Sequence, residues 1–294
     1  MTPAYSRVAA VTGANKGIGF AIVRQLALQY PSSRFNNGPL LIYLTARDKA
    51  RGEGAVQRLL ADDQLRAAKV LSTHGGLSDI RFHTLDISDA ASIQIFGQFL
   101  KKEHPEGIDF VINNAGIAMD GFDNHIVKET LHCNYYGTLS ATRELLPLIK
   151  PTGRLVNVAS SAGSIEKYSQ ALQDRFRHAK SVDDVTQIMQ SFAAAVAQGR
   201  EQEEGWTSAA YAASKAGVIG MTRMIGAEEK ARNGGTEGER LINACCPGLV
   251  PTDMTKGRGS RTPDDGAQTP VMLALGDIKG VSGEYWRSQR VRTW

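Results

Sequence analysis

The sequence predicts an α/β fold: a doubly wound parallel sheet of about seven strands, covered by helices on both faces. Three observations predict it. Short apolar runs alternate with longer segments of helical periodicity through most of the 294 residues. The first apolar run ends in a glycine cluster that opens directly into a helical segment. The later runs also end in small or polar residues, so special groups collect at the carboxyl edge of a parallel sheet, where such sheets bind ligands.

The length and a 42% hydrophobic content suit a single domain over 1–294, with a helical insertion at about 164–205. The net charge is +4 without a Lys/Arg block, which suits an anionic cofactor and gives no reason to expect nucleic acid. The cysteines, Cys133, Cys245 and Cys246, have no metal-ligand spacing, and such low usage suits a reducing cytoplasm. No apolar run reaches membrane-spanning length, and no targeting segment is expected at either end.

RVAAVT, residues 7–12, reads as a buried first strand. Gly13-Ala-Asn-Lys16-Gly17-Ile-Gly19 follows, then the helical run FAIVRQLALQY. The amide groups and positive dipole end of that helix suit a pyrophosphate. A turn-rich loop, 31–39, leads to a second strand, LLIYLTARD at 40–48. An acidic residue at this strand's end would bond ribose hydroxyls. Here Arg47 precedes Asp48, and Arg47 with Lys16 suits a 2′-phosphate unless Asp48 turns inward.

A polar helix over roughly 49–70 precedes a third strand at 81–88. Asp86 at its end suits either an adenine amino group or the cap of the next helix, for which Ser88 and Asp89 also serve. IDFVINNAG, 108–116, is a fourth strand running into Asn113-Asn-Ala-Gly116, whose small residues permit close backbone approach. The following helix contains Asn134, which is either exposed or specifically engaged. Residues 153–163 form a fifth strand ending in serines, and LINACCPG, 241–248, a sixth. Between the serines and Tyr211, Ser181-Val-Asp-Asp184 reads as a variant capping box. Val185, Ile188, Met189, Phe192 and Val196 then form a helical apolar stripe, and 199–205 a solvated turn.

Tyr211 and Lys215 stand four residues apart in SAAYAASKAG, an alanine-rich helix start with Ser208 as its expected cap. At i and i+4 the phenol and the ammonium share a face. A nearby cation lowers a phenol's pKa, so the pair suits proton exchange with a substrate oxygen.

In this order, Thr12-Gly-x-x-x-Gly-x-Gly19, Asn113-Asn-Ala-Gly116, the helix asparagine, a strand-end serine, Tyr211-x-x-x-Lys215 and Pro247-Gly248 resemble the short-chain dehydrogenase/reductase family over essentially the whole chain. Asn15-Lys-Gly-Ile-Gly19, Leu44-Thr-Ala-Arg-Asp48, Glu144-Leu-Leu-Pro-Leu-Ile-Lys150, Asn243-Ala-Cys-Cys-Pro-Gly248 and the insertion are similar to its monomeric NADPH-dependent carbonyl reductases. The resemblance implies a Rossmann-type fold and NADPH-dependent reduction of an aldehyde, ketone or quinone. It places the catalytic set on Asn134, Ser160, Tyr211 and Lys215, with Ser161 adjacent to the chosen serine. Hydride would pass from the nicotinamide to the carbonyl carbon. Tyr211 would protonate the oxygen that Ser160 also bonds, Lys215 would lower the phenol's pKa and hold the nicotinamide ribose, and Asn134 would anchor a water leading to Lys215.

Cofactor contacts are implied at Gly13, Asn15, Lys16, Gly17, Ile18, Gly19 and Arg47, and at Asp86 and Ile87. Further contacts are implied at Asn113, Ala115, Gly116, Tyr211, Lys215, Pro247, Gly248, Val250 and Thr252. Leu249 and Pro251 depart from a relative that carries a tryptophan and a basic residue there. A soluble cytoplasmic monomer is expected, its insertion covering the helices through which many relatives associate and walling the substrate cleft. An NAD-dependent alcohol or steroid dehydrogenase, or a non-catalytic NADPH sensor, are the competing readings.

Overall fold

The computed structural model describes residues 5–233 and 240–294. Among them, β1 (Arg7–Val11), β2 (Leu40–Ala46), β3 (Ser78–Thr84), β4 (Ile108–Asn113), β5 (Ile149–Val158), β6 (Leu241–Cys246), β7 (Tyr285–Arg287) and β8 (Arg290–Val291) form one sheet in the order β3-β2-β1-β4-β5-β6-β7-β8. All pairings are parallel except β7–β8. The sheet therefore has eight strands rather than about seven, the last pair being a short hairpin on the edge. β1 pairs with β2 on one side and β4 on the other, Val11 standing opposite Leu44 and Ile112. The chain's winding direction reverses between β1 and β4, which opens a crevice at their carboxyl ends.

β2, β4 and β6 are buried along their full lengths, as strands covered on both faces must be. On one face lies the layer of α1 (Gly17–Gln29), α2 (Lys49–Leu60), α3 (Asp63–Ala67) and α10 (Pro263–Leu275), with Ile22, Leu26, Leu59 and Val271 in its core. On the other lie α4 (Ala90–Glu103), α5 (Asn124–Leu131), α6 (Thr138–Leu145) and α9 (Ala210–Asn233), with Phe96, Val127, Tyr135 and Val218 packed between them.

Three local expectations shift. The polar helix breaks, because the Asp62 carboxylate accepts from the amides of Gln64 and Leu65 and so starts α3. β3 ends at Thr84, before Asp86, because Asp86 takes the Ser88 amide in a side-chain turn and donates its own amide to Ser92. Ser208 does not cap α9: its hydroxyl donates to Glu201 at 2.8 Å, and the first-turn bond runs from Ala213 to the carbonyl of Ala209.

The insertion contains α7 (Gln170–Arg177) and α8 (Val182–Ala197). The capping box is reciprocal: Ser181 accepts from the Asp184 amide, and Asp184 from the Ser181 amide. Val185, Ile188, Met189 and Phe192 of α8 are fully enclosed, and α8 packs on α9 and α5. Glycines set that approach. A Cβ at Gly217 would lie 2.6 Å from the Met189 sulfur, and one at Gly220 3.1 Å from Val185. Among the described residues, no helix is long and apolar enough to cross a membrane.

Candidate active site

The glycine turn is built at the β1–β4 crevice. The Thr12 hydroxyl accepts from the amides of Asn114 and Ala115, both at 3.0 Å, and the Asn114 side chain donates to the carbonyls of Thr12 and Gly13. The two strand ends are thus stapled together. Gly13 has φ +62°, and a Cβ there would meet the Ala115 Cα at 2.8 Å. A Cβ at Gly19 would stand 2.5 Å from the Asn114 amide nitrogen. Asn15 and Ile18 lie partly exposed between these glycines, and α1 begins with extended Lys16 and no side-chain cap. Its first-turn amides therefore remain available to an anionic ligand, which fits the pyrophosphate of a dinucleotide.

The end of β2 fits an additional phosphate better than a bare ribose. Asp48 caps α2, accepting from the Arg51 amide at 2.8 Å, so its carboxylate is committed to its own helix. Arg47 is exposed beside it. Lys16 does not stand alone: its ammonium meets Asp253 at 2.5 Å across the glycine turn. Arg58, unmarked by any sequence motif, reaches back from α2 to the Asn15 carbonyl at 2.9 Å.

The chain after β6 closes over this turn. Gly248 has φ +85° and its amide donates to the Cys246 sulfur at 3.3 Å. Pro247 and Val250 are buried, and the Thr252 methyl lies 3.3 Å from where a Gly17 Cβ would be. Asp86 is excluded as the cap of α4, a role filled by Asp89, and Ile87 is buried against the close approach of Gly137. The Asn113 side chain points into the structural layer, donating to Asn157 at 2.9 Å and Thr142 at 3.1 Å; only its backbone belongs to the strand end. Asn114, not Asn113, supplies the side chain that shapes the turn.

Between α5 and α6 the helix widens into a π segment over His132–Gly137, a distortion common at functional sites. Asn134 sits inside it, fully buried. Its side chain accepts from the Ile117 amide and donates to the Ile117 carbonyl, both at 2.8 Å, and also donates to Ser214 at 3.0 Å. Ser214 in turn donates to the Tyr211 carbonyl at 2.8 Å. This relay ties the Asn113–Gly116 loop to the start of α9. Nothing in sequence spacing marked Ser214, although it lies between Tyr211 and Lys215.

Ser160, Tyr211 and Lys215 meet at the ends of β5 and α9. Ser160 accepts from the Ala162 amide at 3.1 Å, and its side chain lies near enough to the Tyr211 phenol to draw that group's pKa down. The buried Lys215 ammonium donates to the Val158 carbonyl at 2.9 Å and lies 5.7 Å from the centre of the Tyr211 ring. Gly116 leaves room for them: a Cβ there would stand 3.0 Å from Asn134 Oδ1 and 3.5 Å from Lys215 Nζ.

The electrostatics differ from the sequence expectation. Burial raises the Tyr211 pKa to about 12, and the influence opposing that rise is the Ser160 side chain, not Lys215. Lys215 is held at Val158, below the ring rather than at the phenol oxygen. Its own pKa is lowered to about 8 by burial, against the nearby cysteines, which raise it. The phenol is thus protonated and the ammonium mostly charged near neutral pH.

A family model described as short chain dehydrogenase matches residues 45–172 and 194–262. Carbonyl reductase (NADPH) 1 from Bos taurus is 42% identical over 98% of this chain and 98% of its own length. Carbonyl reductase (NADPH) 3 from Rattus norvegicus is 41% identical over 98% and 99% respectively. Salutaridine reductase from Papaver somniferum is a structural neighbour at TM-score 0.79 and 27% identity, covering 95% of this chain and 99% of that one.

Proposed function

The chain belongs to the short-chain dehydrogenase family, and from that premise we propose that it reduces aldehyde, ketone or quinone carbonyls with NADPH, using Tyr211 as proton donor. The observation that carries the reading is the convergence of Ser160 and a protonated Tyr211 at the ends of β5 and α9, with the buried Lys215 ammonium behind the ring.

NADPH, when bound, supplies the hydride. The amides at the start of α1 would hold its pyrophosphate, and Arg47 with Lys16 would hold its 2′-phosphate. As negative charge grows on the substrate oxygen, Ser160 donates a hydrogen bond to it and Tyr211 gives up its proton. A phenol held near pKa 12 carries that proton until the oxygen becomes strongly basic, which favours reduction over loss of the proton to water. Lys215 stabilises the phenolate left behind, its charge now facing an anion rather than a neutral ring. Asn134 keeps the loop after β4 and the start of α9 in register through Ile117 and Ser214. Asp48, committed as a helix cap, supports NADPH rather than NAD.

We also read the chain as one cytoplasmic domain that stays monomeric, since α8 occupies the exposed sides of α5 and α9. The test of function is NADPH consumption against a panel of quinones, aldehydes and ketones. Wild type should turn over, and Tyr211→Phe should bind NADPH normally yet lose at least about a hundredfold in kcat, the scale of general acid catalysis. A Tyr211→Phe rate close to wild type refutes the assignment.

A further inference from the structure

Trp294 lies far from the residues that carry the chemistry in sequence, yet it touches the turn that holds Ser160. That turn is a single 3₁₀ segment, Ser161–Gly163, with Ser160 as its cap. It follows the end of β5, so no sheet ladder fixes it. It is pinned instead by separate contacts. The Ser161 amide donates to the Cys246 sulfur at 3.2 Å. Gly163 lies against α9, where a Cβ would stand 2.6 Å from the Lys215 carbonyl carbon. At its far end, the Trp294 indole N–H donates to the Gly163 carbonyl at 2.8 Å.

The indole is itself firmly seated. It meets Phe176 of α7 edge-on, with ring centres 5.3 Å apart, and the Arg223 guanidinium lies 5.4 Å from its own ring centre. Gly220 of α9 leaves space for it: a Cβ there would be 3.1 Å from Trp294 Cη2. One side chain therefore joins the insertion, the helix carrying Tyr211 and the serine turn. An N–H held by a rigid aromatic contact fixes its acceptor more tightly than solvent would.

We propose that Trp294 is a positioning residue for Ser160, its indole N–H holding the Gly163 carbonyl so that Ser160 and Tyr211 face the same substrate oxygen. The proposal rests on the reading of Ser160 given above. Trp294→Phe in the full chain removes the donor together with part of the indole's ring area beside Gly220, and the comparison in the Ser160→Ala background separates the two. The substitution should lower kcat about two- to tenfold, the net worth of one hydrogen bond, while leaving the KM for NADPH unchanged. In a Ser160→Ala background, Trp294→Phe should cost nothing further, because the group it positions is gone. Hydrogen exchange should quicken at the Ser161–Ser164 amides and not in the glycine turn.

The same fractional loss in both backgrounds would show that Trp294 acts through general stability, and the proposal falls. Unchanged exchange at Ser161–Ser164 overturns it as well, whatever the rates. If Ser160→Ala alone keeps the wild-type rate, the failed reading is that of Ser160 as a catalytic group, and exchange still judges whether the indole holds the turn.

Discussion

Replacing Arg47 by Ala tests how the chain distinguishes its cofactor. Arg47 stands exposed at the end of β2 while its neighbour Asp48 caps α2. A charge-assisted hydrogen bond to a phosphate contributes roughly 1.5–3 kcal/mol, so its loss should weaken NADPH about ten- to 150-fold. NADH lacks the 2′-phosphate and should bind almost as before. Lys16 should matter less, because it must exchange its Asp253 partner for the phosphate, whereas Arg47 has no ion pair among the described residues. Asp253→Asn should accordingly tighten NADPH modestly, by freeing Lys16. The assay is a fluorescence titration of both nucleotides at constant low ionic strength, since such contacts are screened by salt. An equal loss for NADPH and NADH in Arg47→Ala refutes the reasoning and makes Arg47 a structural residue. A selectively weaker NADH complex in Asp48→Ala would also contradict it, because Asp48 is held to act on its helix alone.

The remaining predictions concern charge, packing and assembly. Lys215 is lowered from 10.5 to about 8, so its charge is present below that pH and lost as pH rises through it. The kcat/KM for reduction should therefore fall above about pH 8, and an active Lys215→Arg variant should lack that limb because guanidinium stays charged; a limb that persists belongs to another group. Gly217→Ala puts a Cβ 2.6 Å from the Met189 sulfur and 2.7 Å from the Tyr135 ring, so these packed side chains between α8 and α9 must shift. Overpacking of this kind costs about 1–3 kcal/mol, and calorimetry should show a lower Tm; an unchanged Tm would mean the two helices are not closely apposed. Sedimentation equilibrium should give a mass near 31.8 kDa, and trimming the insertion to a short loop should cause association through the uncovered α5 and α9. A dimer mass for the full chain, or a well-behaved trimmed monomer, would refute the role given to the insertion.

Much of this molecule is legible without coordinates because its determinants are local. Strand and helix periods depend on neighbours a few residues away, which is why the alternating order and the Gly13–Gly19 turn could be read directly. The capping box of Ser181 and Asp184 and the shared face of Tyr211 and Lys215 follow from spacings of three and four residues for the same reason. Where several local signals competed, tertiary partners chose between them. Ser208 gave its hydroxyl to Glu201 instead of capping α9, and Asp89 rather than Asp86 became the cap of α4.

The contacts that tune the site belong wholly to the tertiary structure. Lys16 and Asp253 are separated by 237 positions, and Trp294 and Gly163 by 131. Asn134 clamps Ile117, and Asn113 turns inward while Asn114 shapes the glycine turn. No periodicity encodes such pairs, because they arise only when separate strand ends are brought to one edge. The same holds for protonation. That burial would push Tyr211 up and Lys215 down depends on how much water the assembled layers exclude, and that is a property of the packed fold rather than of the residues taken in order.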